Sequence, residues 1–162
     1  MKCLITLVAT FFILNFQFSI ASAASPAPTP KTGQTTSYYA RDDGALQPGI
    51  ASPVPRFADN ADGTVTDNLT GLVWLKNPGC FTAQSWDSAL NGAKTLSSGA
   101  CGLTDLSSAG DWHLPNKNEL LSLVDYGHSN PALPTGHPFS SVQSKYYWSA
   151  TSYAYYLSLI HI

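Results

Sequence analysis

The sequence predicts an α+β domain: two helices set among short strands in a loop-rich, mixed or antiparallel sheet. Three observations predict it. Residues 110–125 pack a rigid approach, a capped helix start and an apolar helix face into one stretch. Residues 56–75 alternate strand-like runs with Asx-Gly-type turn signals. The composition is loop-rich and aromatic, with 12 Gly, 11 Pro, 4 Trp, 8 Tyr and 7 Phe in 162 residues and only 11% charged residues. A formal net charge of −2 offers no basic surplus, which excludes nucleic acid as an expected partner.

Residues 1–23 read as a secretory signal peptide. Lys2 supplies the positive start, residues 4–18 the apolar core, and Ala21-Ser22-Ala23 the small-residue cleavage site. The apolar run falls short of the roughly 20 residues that span a bilayer, and Asn15 and Gln17 interrupt it. No cysteine follows that core, so a lipid anchor is not indicated. A secreted or periplasmic protein is expected, with no membrane span after cleavage. Residues 24–55 form a lead-in: a Pro-rich extended spacer over 25–31, then a Gly-, Ser- and Pro-punctuated stretch. Tyr38-Tyr39 is its only bulky apolar pair, and one edge strand is expected there. The adjacent acids Asp42-Asp43 are expected to be solvated.

The compact domain is expected over residues 56–156. Residues 56–67 predict a hairpin closed by Asp62-Gly63 as a two-residue turn. A second turn at Asn68-Leu69-Thr70-Gly71 leads into a short buried strand, Leu72-Val73-Trp74-Leu75. Asp59, Asp62 and Asp67 cluster there, which raises calcium. The spacing resists an EF-hand, whose loop wants oxygen ligands at positions 1, 3 and 5 and Gly at 6, because Ala61 and Gly63 fall at the third and fifth positions from Asp59. Turn chemistry is the favoured reading. Asn68-Leu69-Thr70 also fits a glycosylation sequon.

Residues 85–96 predict the first helix, with Ser85 as cap, Asp87 in the first turn, and Trp86, Ala89, Leu90, Ala93 and Leu96 as its stripe. Cys80 and Cys101 bracket it. Once Cys3 leaves with the leader they are the remaining pair, and in an exported chain a disulfide is the simplest reading. It would close a loop of about twenty residues and stabilise by roughly 3 kcal/mol. A redox or metal site is the alternative, but CxxC spacing is absent. In the second helix Leu114-Pro115 fixes an extended approach. Asn116 and Glu119 form a capping box, and Leu120, Leu123 and Val124 give the buried stripe, with Trp112 as the expected docking anchor. After a Pro-rich loop over 129–138, residues 146–151 predict an aromatic strand.

Candidate sites are sparse. His113, His128, His137 and His161 show no HxxxH-like spacing, so no metal site is assigned. A Ser-His-Asp arrangement needs no local spacing, but no GxSxG elbow appears, and no catalytic residue is assigned. The binding candidates are Trp148, Tyr146, Tyr147 and Tyr153, whose rings suit sugar faces or a protein interface. Successive strand residues face opposite ways, so half of such aromatics are expected in the core.

These residues carry a resemblance. Residues 59–67, Thr70-Gly71-Leu72-Val73-Trp74, Gly110-Asp111-Trp112-His113-Leu114-Pro115-Asn116, Glu119-Leu120 and Tyr147-Trp148-Ser149 together resemble the Lcl C-terminal domain family. It is a bacterial family of largely unknown function, named for the end domain of a Legionella collagen-like adhesin. The structural signature is Asp111, Trp112, Leu114, Pro115, Asn116 and Glu119. The resemblance implies a C-type-lectin-like architecture, related to the formylglycine-generating-enzyme fold. It further implies an exported binding or adhesion module for a surface glycan or a protein partner. The alternatives are a non-lectin structural domain of a secreted or envelope assembly, and an enzyme of the formylglycine-generating kind. That chemistry needs cysteines in a cleft, and a structural bridge would consume this pair.

The chain departs from the family pattern in two ways. His113 stands where the family usually has Arg, and the family's closing strands, ending in a Trp-Pro-Val-Arg segment, are missing. Residues 157–162 are what CTG TCT CTT ATA CAC ATC encodes, which resembles a transposase sequencing adaptor. They are expected to be non-biological and the domain C-terminally truncated.

Overall fold

The computed structural model describes residues 29–153 and 156–161; the expected signal peptide lies outside them. The element order is α1 (Asp43–Leu46), β1 (Phe57–Asp59), β2 (Thr64–Asp67), β3 (Val73–Leu75), a 3-10 turn (Pro78–Cys80), α2 (Trp86–Thr95), α3 (Lys117–Ser122), β4 (Tyr146–Tyr153) and β5 (Tyr156–His161). The strands make two antiparallel sheets, β1-β2-β3 and β4-β5, so the class is α+β. In the first sheet Phe57 faces Asp67 and Val65 faces Trp74. In the second, Trp148 faces Leu159 and the register shifts before Ser152, the mark of a bulge. The tail attributed to an adaptor supplies most of β5.

The first hairpin forms, but its turn is one residue longer than Asp62-Gly63 predicts. Asn60 N–H donates to the Thr64 carbonyl at 3.2 Å, which leaves Ala61-Asp62-Gly63 as the loop. Ala61 and Gly63 are both left-handed, at φ 60° and 88°. Docking sets this shape: Lys76 N–H donates to the Gly63 carbonyl at 2.9 Å, and Thr104 N–H to the Asp62 carbonyl at 2.8 Å. A Cβ on Gly63 would meet the Gly102 carbonyl at 2.3 Å, so glycine answers both a backbone and a space requirement. The second turn forms as read, with Gly71 N–H on the Asp67 carbonyl at 2.7 Å.

Three local expectations need correction. Among the described residues β3 is an edge strand paired only with β2, and Val73 is 51% exposed rather than buried. Among its described residues the lead-in makes no edge strand; it forms α1, because Asp42 caps a helical turn by accepting from Ala45 N–H at 2.9 Å, with one isolated bridge from Pro30 to Ile50. Trp112 is not the anchor of α3. Leu120 and Leu123 pack instead into a core cluster with Phe57, Val65 and Leu133, because the buried face of the first hairpin lies over them. Phe57 and Phe139 meet edge to face at 5.1 Å, a favoured aromatic geometry.

Both longer helices start as their caps dictate. Ser85 accepts from Ser88 N–H at α2. At α3 Asn116 accepts from Asn118 and Glu119 N–H at 2.8 and 3.0 Å, while Glu119 accepts from Asn116 N–H at 2.8 Å, the full capping box. The disulfide Cys80–Cys101 is present, with Cα atoms 5.6 Å apart; it ties the loop before α2 to the loop after it. A buried ion pair, Arg56 to Asp67 at 3.4 Å, joins β1 to β2, and Arg56 Nη2 also donates to the Ser122 carbonyl at the end of α3. Among the described residues no helix is long and apolar enough to cross a membrane.

Candidate functional site

The two sheets do not close on one another. Between β3 and the start of β4 lies a cleft of about 810 Å3, walled by Val73, Trp74, Phe81, Trp112, Tyr147 and Trp148, and floored by Ala89, Leu120 and Leu123. Asp105, Asp111, His113, Glu119, Gln143, Lys145 and Tyr146 contribute its polar groups. Its size falls in the range of about 300–1,000 Å3 typical of ligand sites.

The walls are held by hydrogen bonds that only the fold reveals. Trp148 Nε1 donates to the Gln84 carbonyl at 2.9 Å, and Trp86 Nε1 donates to the Ser149 carbonyl at 2.8 Å. These reciprocal indole bonds clasp β4 to the start of α2. Ala150 N–H donates to the Pro115 carbonyl at 2.7 Å, and Lys117 N–H to Thr151 Oγ1 at 2.9 Å, so the approach to α3 lies against the same strand. Trp112 Nε1 donates to Ser107 Oγ at 3.0 Å, and that hydroxyl donates to Asp105 at 2.8 Å. Asp111 accepts from Ser108 N–H at 2.8 Å. Tyr147 Oη accepts from Gln143 N–H at 2.7 Å.

The polar atoms of the cleft are therefore largely spent on holding its own walls. What remains for a ligand is aromatic and aliphatic surface, the buried and unpartnered Trp74 Nε1, and a charged rim at Lys145, His113 and Glu119. His113 Nε2 stands 3.5 Å from Glu119 Oε2. The arrangement suits binding of apolar groups.

The candidate aromatics are placed as follows. Trp148 and Tyr147 line the cleft half-buried, and Tyr146 stands at its mouth 70% exposed. The side chain of Tyr153 lies outside the described residues. Val73, Phe81 and the Gln84 carbonyl are missed by sequence reading; their roles depend on chain crossings with no local signal.

The acidic hairpin does not gather its carboxylates. Asp59 pairs with Lys76 Nζ at 2.6 Å, and that hydrogen bond, with a second from Ala61 N–H, lowers its pKa. Asp62 accepts from Thr64 N–H and Oγ1 at 3.0 and 2.6 Å. Asp67 is fully buried against Arg56, Leu69 N–H and Thr70 Oγ1. Among the described residues no group of three or more His, Cys, Asp or Glu is placed to hold a metal ion.

The histidines are dispersed. His128 lies 3.2 Å from Asp125 through Nδ1 and 3.1 Å from Thr135 Oγ1 through Nε2, a hydrogen-bonded chain that knits the Pro-rich loop. It shares no residue with the cleft. Burial lowers the pKa of His137.

The family model of the Lcl C-terminal domain matches residues 63–161, which takes in β3, both longer helices, the disulfide and β4. No curated protein matches the chain, and no solved structure matches it. The Lcl C-terminal domain is a domain of unknown function and not a known enzyme family. The match covers more than half of the 162 residues, and the chain belongs to the Lcl C-terminal domain family.

Proposed function

We propose that the chain is an exported binding module of the adhesion type, with a C-type-lectin-like arrangement, whose cleft receives apolar side chains of a surface protein partner. One observation carries the reading: a cleft of about 810 Å3 walled by Trp74, Trp112, Tyr147 and Trp148. The indoles of Trp112 and Trp148 and the phenol of Tyr147 are turned to holding the walls, while Trp74 Nε1 is buried with no hydrogen-bond partner among the described residues. Tyr and Trp are favoured where an interface needs rigid apolar surface. A sugar seated there would need polar partners for its hydroxyls, and Asp105, Asp111, Gln143 and Glu119 already serve local turns and caps, so a protein ligand fits this cleft better than a glycan.

The test is saturable binding of the full chain to a panel of purified surface proteins, run beside a glycan array. Val73→Asp puts a charge at the cleft mouth on an exposed edge residue, so it should leave folding intact. It is expected to weaken protein binding at least tenfold. A blank across the protein panel, or binding that Val73→Asp leaves unchanged, refutes the reading. Each measurement is repeated with a chelator: loss of binding there would assign calcium to the Asp59–Asp62 turn, and unchanged binding is expected.

A further inference from the structure

The lead-in carries a feature that the cleft does not use. Tyr38 and Tyr39 stand 76% and 82% exposed, yet their backbone is firmly held. Asp42 accepts from Tyr38 N–H at 2.6 Å, from Tyr39 N–H at 3.1 Å and from Ala45 N–H at 2.9 Å. Asp42 N–H returns a bond to the Tyr39 carbonyl at 3.1 Å, and Ser37 Oγ donates to the same carbonyl at 3.0 Å. Gly44 lies so close to this turn that a Cβ there would meet the Thr36 carbonyl at 2.1 Å. The turn is in turn fixed to the domain: Tyr126 N–H donates to the Thr32 carbonyl at 2.9 Å, and Thr32 Oγ1 donates to Asp43.

We propose that Tyr38 and Tyr39 form a second binding site, a pair of aromatic faces for the sugar rings of a neutral glycan, independent of the cleft. Two large apolar rings held out to water on a pinned backbone pack little against the described residues. A rigid presentation reduces the entropy lost on binding, and tyrosine gives wide contact area with only two rotatable side-chain bonds. The three backbone donors, led by Tyr38 N–H, lower the pKa of Asp42 to about 2, so the turn stays pinned through the whole neutral range.

The scale and surroundings favour a glycan over a protein. A stable protein interface needs about 800 Å2 from each partner around an apolar centre, whereas this turn offers two rings. Among its chain neighbours Thr35 and Thr36 are exposed and offer hydroxyls to the hydroxyls of a sugar. Both tyrosines lie outside the matched residues 63–161, so the site belongs to this chain rather than to the family domain.

The experiment is depletion of the full chain by insoluble neutral polysaccharides (cellulose, chitin and mannan), with phenyl-substituted resin as the apolar control. Retention on at least one polysaccharide is expected. Tyr38→Ala with Tyr39→Ala should cut it about tenfold or more, while Tyr38→Phe with Tyr39→Phe, which keeps the rings, should retain most of it. Val73→Asp in the cleft should leave it unchanged, which separates this site from the protein-binding reading. No retention on any polysaccharide, retention unaffected by the double alanine variant, or a double-variant loss confined to the phenyl resin would each overturn the proposal.

Discussion

Removing the Asp67 carboxylate should be among the most damaging single changes in this domain. Asp67 is fully buried and has four donors: Arg56 Nε and Nη2, each at 3.4 Å, Leu69 N–H at 2.9 Å and Thr70 Oγ1 at 3.0 Å. Asp67→Ala unpairs a guanidinium that is itself nearly buried and frees two donors of the second turn. Breaking a buried ion pair from one side costs about 3–5 kcal/mol, and each lost turn bond adds about 1 kcal/mol. Arg56 keeps two other contacts, the Ser122 carbonyl and the face of Phe57 at 4.7 Å, which pulls the expected total back to about 4 kcal/mol.

Against a domain stability of about 5–15 kcal/mol, that loss leaves a marginal fold. Asp67→Asn keeps an acceptor for Leu69 N–H and should cost less, by about 1–2 kcal/mol. The assay is urea denaturation followed by circular dichroism at neutral pH, comparing both variants and Arg56→Met. If Asp67→Ala lowers stability by less than about 1 kcal/mol, the carboxylate is not the junction described here, and the reasoning that ties β1, β2 and α3 through it is refuted.

Three further outcomes are expected. Replacing Cys80 and Cys101 by serine should lower stability by about 3 kcal/mol on the loop-entropy model, read as a shift in the urea midpoint with little change in slope. Gly63→Ala must place a methyl against the Gly102 carbonyl and hold φ 88°; a loss of about 2 kcal/mol or more is expected, and a neutral result would show that the hairpin turn does not dock on the loop after Cys101. The folded pKa of Asp42, about 2, lies below its ordinary value of 3.8, so its contribution is present above about 4 and is lost as pH falls through 2. Amide exchange at Tyr38 and Tyr39 should therefore stay slow at pH 4 and quicken towards pH 2, and a transition centred near neutral pH would contradict the cap.

How much of this was legible in the chain follows from the reach of each interaction. The capping box at Asn116 and Glu119, the Ser85 cap, the Asn68–Gly71 turn and the amphipathic stripe of α3 are contacts between residues at most a few positions apart. Local chemistry states them outright, and each stands in the structure. The Cys80–Cys101 bridge was legible for a different reason: the export expected from the sequence and an even count left little else for the pair to do. The motifs around Asp111-Trp112 and Tyr147-Trp148-Ser149 likewise sufficed for the family.

Tertiary structure decided the rest. Whether an Asp-Gly turn holds two residues or three depended on the loop after Cys101, which presses on Gly63 from forty residues away in the chain. Whether Trp148 is a platform or a wall depended on the Gln84 carbonyl, and the indole of Trp86 was committed by the carbonyl of Ser149. The cleft is defined by which sheet edges face each other, and no periodicity encodes that. The lead-in shows both sides: composition marked Tyr38-Tyr39 as its one aromatic pair, but only the folded turn shows Asp42 gathering three amides to hold those rings in water. The sequence determined the elements because capping and periodicity act over a few residues; the site waited on the fold because its walls meet only when distant carbonyls find their donors.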